Sequence, residues 1–111
     1  YFLSKIKEID FSKLNRNSIF VKKYKFHPHL ADWKNIESLI RENIDENLII
    51  ELNDDINISS RSKNFNKTLQ THNKSVVFIS GSLKIEELVI VPTKQEAIDV
   101  IQIEEIERLL D

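Results

Sequence analysis

Three short apolar runs constrain the fold of this chain more than any other feature. They occupy residues 48–52, 76–79 and 88–91, and only the first contains a charged residue, Glu51. Continuous apolar runs of four or five residues are typical of strands that are covered on both faces, as in a sheet flanked by helices. A polar cluster or a proline follows each run. We therefore predict an α/β fold in which these runs are strands of one sheet.

Two more strands are predicted before the first run. Apolar and aromatic side chains over residues 19–26 favour a strand, and Pro28, which cannot donate to a β-ladder, is predicted to end it. Residues 4–11 mix apolar and charged side chains, and we interpret them as a short edge strand. The 111 residues then form one domain, residues 1–111, with a single mixed sheet of four to five strands and helices packed on it.

Helices are predicted between and after these strands. Apolar residues recur at steps of three and four from Leu30 to Ile44, which indicates an amphipathic helix. Residues 59–73 are weakly helical, and Ser59, Ser60 or Ser62 is suited to cap the start of that helix. Thr93 and Glu96 have the spacing of a capping box, which predicts the start of the last helix.

The last helix carries two apolar stripes on opposite sides. Ala97 and Ile101 belong to one stripe, whereas Ile103 and Ile106 belong to the other. A straight helix would expose one of the two. Either the helix breaks near Gln102 and both halves pack on the same core, or Ile103 and Ile106 contact a protein partner, which includes a second copy of the chain in a homodimer.

The charges are arranged in blocks, although the net charge of the chain is only −2. The net charge is +5 in residues 1–34, −6 in 35–58, +5 in 59–84 and −6 in 85–111. These blocks either neutralise one another within the fold or present separate basic and acidic faces.

A nucleic-acid-binding protein is the alternative function that the basic blocks support. Lysines and arginines over 61–74 and in the strand at 19–26, with the aromatic residues Tyr24 and Phe26, form the pattern that contacts phosphates and stacks on bases. The overall acidity of the chain weighs against that alternative.

Several classes of chemistry are excluded by composition. The chain has no cysteine, which excludes disulfides, thiolate metal sites and cysteine nucleophiles. Its single glycine, Gly81, excludes glycine-rich phosphate loops. We interpret the carboxylates Glu51, Asp54 and Asp55 as a solvated turn. We therefore predict no catalytic residue, no metal ligand and no cofactor, and we expect a protein that is not an enzyme.

The sequence also predicts a location. No apolar run approaches the ~18 residues that a membrane-spanning helix requires. No signal-peptide pattern occurs near the start of the sequence. We expect a cytoplasmic protein that does not contact a membrane.

The predicted order of elements resembles the STAS domain, the fold of bacterial anti-sigma-factor antagonists. Residues 48–52 are similar to the central strand of that family, and Ser59 and Ser60 follow at about the distance of its Asp-Ser-Ser motif. Residues 89–97 resemble its late strand, followed by Pro-Thr and a helix that begins with Glu-Ala. The resemblance covers about residues 46–110. It implies a STAS-like fold and a regulatory module that binds another protein without catalysing a reaction.

The resemblance also implies a site. In STAS antagonists a partner kinase phosphorylates a serine of the motif and thereby switches binding. The serine that corresponds to it here is Ser59 or Ser60. This chain has Ile58 where the family has the aspartate and Arg61 where it has a glycine. We expect partner binding at the start of the second helix, at Ser59, Ser60 and Arg61, or at the second apolar stripe of the last helix, at Ile103 and Ile106.

Overall fold

The computed structural model describes residues 24–110. Its strands are β1 (Lys25–Leu30), β2 (Leu48–Leu52), β3 (Val76–Ile79) and β4 (Ile90–Val91). Its helices are α1 (Trp33–Glu42), α2 (Phe65–Gln70) and α3 (Lys94–Leu110), and a 3₁₀ turn, Ile58–Ser60, lies between β2 and α2. The strand predicted at 4–11 and most of the one predicted at 19–26 lie outside the described residues.

The four described strands form one sheet in the order β1-β2-β3-β4. All three neighbouring pairs are parallel, and Ile50 in β2 lies opposite His27 in β1 and Phe78 in β3. Parallel neighbours need a connection that crosses back over the sheet, and helices α1 and α2 provide two of these connections. The predicted α/β architecture of four strands with helices packed on them is confirmed, and within residues 24–110 the sheet is parallel throughout.

The sheet is covered on both faces, as the apolar runs predict. Successive side chains of a strand point to opposite faces, so Ile50 and Phe78 belong to one hydrophobic cluster and Ile49 and Val77 to another. The first cluster includes buried residues of α1 and α2, whereas the second includes Ala97 and Ile101 of α3. The domain therefore has three layers, with α1 and α2 on one face of the sheet and α3 on the other.

Strand β1 continues through Pro28, so the prediction that this proline ends the strand is wrong. The register of β1 against β2 shifts between His27 and Leu30, and His29 has a positive φ of 53°. Such an irregularity leaves residues outside the regular ladder. Proline is tolerated at this point because no ladder hydrogen bond from its nitrogen is needed.

Helix α1 is shorter than the periodic pattern from Leu30 to Ile44. Asp32 begins it, with a side-chain carboxylate that accepts a hydrogen bond from the backbone N–H of Lys34 at 2.9 Å. Asn43 ends it and donates its side-chain amide to the carbonyl of Leu39 at 2.8 Å. Polar side chains therefore fix both ends of the helix, and the spacing of apolar residues does not indicate where these capping residues lie.

Helix α3 runs without interruption for 17 residues, from Lys94 to Leu110. Of the two alternatives for this helix, the break near Gln102 is therefore wrong. The predicted start is confirmed, because Thr93 Oγ1 accepts a hydrogen bond from the backbone N–H of Glu96 at 3.2 Å. No helix among residues 24–110 is long and apolar enough to cross a membrane.

A polar network holds the last turns of α3 against the sheet. One guanidinium nitrogen of Arg108, Nη2, donates to Glu105 Oε1 at 2.6 Å and to Ser75 Oγ at 3.0 Å. Asn47 donates to Glu105 at 3.3 Å and accepts from the N–H of Ser75 at 3.0 Å. Asn47 and Ser75 directly precede β2 and β3, so this network joins the carboxyl-terminal part of α3 to the starts of two central strands.

This network predicts a pH dependence of stability. Burial alone would raise the pKa of the Glu105 carboxyl, but the hydrogen bond and charge of Arg108, with smaller contributions from Asn47 and Lys74, lower it below the ordinary value of 4.5. A carboxyl whose pKa is lower in the folded state stabilises the fold above its unfolded pKa, and this contribution is lost as the pH falls through the folded value. Urea unfolding at pH 7 and pH 3 should therefore show a smaller loss of stability on acidification for Glu105→Gln than for wild type. Glu104→Gln is the control, and an equal loss in all three proteins would contradict the prediction.

Candidate partner-binding site

The two serines of the predicted site lie on a turn that is organised by one asparagine. We name residues 57–60 the serine turn. Asn57 Oδ1 accepts hydrogen bonds from the backbone N–H of Ser59 at 3.1 Å and from Ser59 Oγ at 2.7 Å. The Asn57 carbonyl accepts from Ser60 Oγ at 2.8 Å and from the indole N–H of Trp33 at 2.8 Å. Both serines are exposed, and the turn that carries them is tied to the buried Trp33.

Neither serine caps a helix, which corrects the predicted N-cap role of Ser59 or Ser60. Helix α2 begins only at Phe65, after the N-cap Asn64, whose side chain makes no capping hydrogen bond. Ser62 is the serine nearest to the helix start, and its hydroxyl accepts from the backbone N–H of Asn64 at 3.1 Å. The serine turn is therefore a separate element that precedes the helix.

Arg61 follows the serine turn and is held from two sides. Its guanidinium carbon lies 6.0 Å from the ring centre of Trp33 and 5.9 Å from that of Phe65. Its Nη2 lies 3.2 Å from Glu87 Oε2, and its Nη1 is buried without a hydrogen-bond acceptor. The side chain is only 17% exposed, so its position is fixed by the two rings and the carboxylate.

Glu87 lies in the connection between β3 and β4, far from Arg61 in sequence. Its pKa is lowered, first by a backbone hydrogen bond at Glu87 itself and then by the hydrogen bond from Arg61, while desolvation acts in the opposite direction. The carboxylate is therefore charged at neutral pH. The Arg61–Glu87 ion pair thus connects the serine turn to the segment between the last two strands.

The second predicted contact is not on the same surface. Ile106 is 3% exposed, so its side chain is not available to a partner, and Ile103 is half-buried. The exposed apolar residues of α3 are instead Leu109 and Leu110 at its end. The structure does not bring Ile103 and Ile106 together with Ser59, Ser60 and Arg61, since α3 and the serine turn are anchored on opposite faces of the sheet.

A cleft at the carboxyl edge of the sheet was missed by sequence reasoning. Glu51, Asp54, His29 and Ser80 line this cleft of about 450 Å³. Asp54 accepts hydrogen bonds from the hydroxyls of Ser80 at 3.4 Å and Ser82 at 3.1 Å, and His29 Nδ1 lies 3.3 Å from Glu51 Oε1. The cleft could have been predicted from the polar residues that follow β2 and β3. Neighbouring parallel strands end at the same edge of their sheet, so the residues after them lie close together. Within residues 24–110, no three histidine, aspartate or glutamate side chains are grouped so that they could hold a metal ion.

Some cations of the two basic segments are paired with acidic side chains. Lys25 lies 2.8 Å from Glu46, and Lys74 lies 3.6 Å from Glu105. The aromatic rings proposed for base stacking, Tyr24 and Phe26, pack partly against the second hydrophobic cluster. The amine of Lys94 lies 4.5 Å from the ring centre of Phe26. These contacts pair part of the basic blocks with acidic side chains of the same fold.

Comparisons with protein-family models, curated proteins and solved structures gave no match to this chain.

Proposed function

We propose that this chain is a STAS-like, non-enzymatic module that binds another protein through the serine turn and Arg61. One observation carries the proposal, namely that Asn57 holds the serine turn in a fixed and exposed form. A surface that is ordered before binding loses less conformational entropy when a partner docks. Ile58 adds an apolar group to this surface, since its side chain is 42% exposed.

The order of the described elements supports the STAS-like part of the proposal. A strand and a helix precede the central strand β2, and the serine turn follows β2 before the next helix and strand. The final helix follows Pro92 and Thr93, as the resemblance implies. A bacterial regulatory protein in the cytoplasm is part of the same proposal.

Phosphorylation of Ser59 or Ser60 is the regulation that the resemblance implies for this surface. Both hydroxyls donate hydrogen bonds to Asn57. A phosphoryl group adds a charge of about −1.5 to −2 and acts only as an acceptor when fully ionised, so it cannot replace these donated bonds. Modification of either serine would therefore change both the charge and the shape of the serine turn.

The test is capture of a binding partner by tagged variants of the chain. Ile58→Asp is expected to weaken capture at least tenfold, because it places a charge in the middle of the proposed contact. Ile44→Asp is the matched control, since Ile44 is a similarly exposed isoleucine, 39% against 42%, and lies outside the serine turn. Circular dichroism confirms that both variants are folded. Equal capture by the two variants, measured on the partner that wild type retains, would contradict the proposal.

A further inference from the structure

We infer that Arg61 is an oxyanion-binding residue and that Glu87 is its exchangeable occupant, so that the partner group recognised beside the serine turn is a carboxylate or a phosphate. This inference rests on the proposed function, because it names the chemistry that the same surface would recognise.

The guanidinium is positioned before any partner arrives. The rings of Trp33 and Phe65 lie about equally far from its central carbon, at 6.0 and 5.9 Å, and these two rings contact each other edge to face at 5.2 Å. Both aromatic residues are buried. The attraction between a guanidinium and aromatic rings does not depend on the anion that pairs with it. We therefore expect the two rings to keep Arg61 close to its present position when Glu87 moves away.

Arg61 has hydrogen-bonding capacity that the fold does not use. A guanidinium has five N–H donors in a planar fork that matches the two oxygens of a carboxylate or phosphate. Here Glu87 is bound through Nη2 alone, and the buried Nη1 has no acceptor. An external oxyanion that replaced Glu87 would bind Nη2 in the same way, and it would also satisfy Nη1 once the departure of Glu87 opened access to that buried nitrogen.

Glu87 is suited to be displaced. Its side chain is 47% exposed, and it belongs to the segment between β3 and β4 that contains no helix. Water and dissolved ions compete for the exposed carboxylate of this pair, which lowers the cost of separating it from Arg61. The exposed Lys63 lies two positions beyond Arg61.

The test uses inorganic phosphate as the probe and Trp33 as the reporter. Trp33 is the single tryptophan of the chain, and its ring is a neighbour of the guanidinium. Titration with phosphate at constant ionic strength, with chloride as the balancing anion, should change the fluorescence of Trp33 saturably. A parallel titration with acetate tests recognition of carboxylates separately, and a response to either oxyanion supports the inference.

Three variants make the test specific. Glu87→Gln removes the internal competitor and should tighten phosphate binding about two- to fivefold, which is the range expected for the loss of an ion pair at the protein surface. Glu86→Gln makes the same change of charge one residue away and should leave the affinity within twofold of wild type. Arg61→Gln should abolish the response, and Arg61→Lys, which keeps the charge without the fork, should weaken it. Thermal unfolding confirms that each variant is folded at the temperature of the titration.

Two results would overturn the inference. One is that neither phosphate nor acetate changes the fluorescence of Trp33. The other is that Glu86→Gln tightens phosphate binding as much as Glu87→Gln, which would indicate a general effect of net charge. Capture that still depends on Ile58 would in either case leave the proposed protein-binding function standing, so the two failures are distinguishable.

Discussion

Phe65→Ala is expected to lower the free energy of unfolding by about 3–5 kcal/mol, the cost typical of removing a buried phenylalanine. Phe65 is fully buried and contacts the rings of Trp33, at 5.2 Å between centroids, and Phe78, at 6.3 Å. It is also the first residue of α2, a helix of only six residues that cannot be stable without tertiary contacts. Urea unfolding followed by circular dichroism measures the loss.

Leu69→Ala is the control for this prediction, since Leu69 lies on the same helix but is only partly buried. We expect it to cost clearly less than Phe65→Ala. A similar decrease in the free energy of unfolding for the two substitutions would mean that the decrease comes from weakening α2 as a whole. It would then not come from lost contacts among the rings of Trp33, Phe65 and Phe78. A loss below about 1 kcal/mol for Phe65→Ala would show that the site under Arg61 repacks easily, and would contradict the rigid support that we describe for the guanidinium.

Ile106→Asp is expected to destabilise the protein by about 3–5 kcal/mol, from the loss of a buried apolar side chain together with the burial of a charge. The reason is that Ile106 is 3% exposed. Leu109→Asp, on the same helix but at a residue that is 56% exposed, should change stability by less than about 0.5 kcal/mol. Chemical denaturation of the two variants gives both values.

The same pair of variants decides between the two interpretations of the second apolar stripe. If Ile106 served as an external contact, Ile106→Asp would remain as stable as wild type and would lose self-association or partner capture. Light scattering on the folded variant distinguishes this outcome from simple unfolding. A stable Ile106→Asp protein that no longer self-associates would contradict the buried position that we describe.

The strands were the most predictable part of the fold, because a strand covered on both faces needs an unbroken apolar run. Residues 48–52 and 76–79 are strands with the predicted bounds. The third run is strand only at Ile90–Val91, since Leu88 turns into the first cluster and Val89 is exposed. A residue in a paired strand, a residue turned into the first cluster and an exposed residue are all apolar here. Apolar composition therefore could not show which residues of the third run form the strand.

The predictions that failed depended on interactions between residues distant in sequence. The predicted break of α3 considered only its apolar stripes, whereas Arg108 ties the end of the helix to Ser75, which lies 33 residues earlier. Pro28 was expected to end β1, but a shift of register accommodates it. In both cases the deciding interaction is absent from the local pattern.

The candidate site was predictable in its residues and not in its geometry. Ser59, Ser60 and Arg61 were identified from spacing and resemblance, and Asn57 could have been identified as a turn former because asparagine side chains bond to nearby backbone. Glu87 could not, because it lies 26 residues from Arg61 and is one of eight acidic residues in the last charge block. Glu87 comes within reach of Arg61 only when the connection between β3 and β4 is folded over the first cluster.

The sequential order of the parallel strands has a consequence for how the chain assembles during synthesis. Each of β2, β3 and β4 pairs with the strand that left the ribosome just before it, so the described sheet can grow one strand at a time. Helix α3 comes last, and its Ala97 and Ile101 pack on the face formed by Ile49 and Val77. A released chain that ended before residue 94 would hold all four described strands without this cover. Unprotected apolar sheet surface of that kind is prone to aggregate.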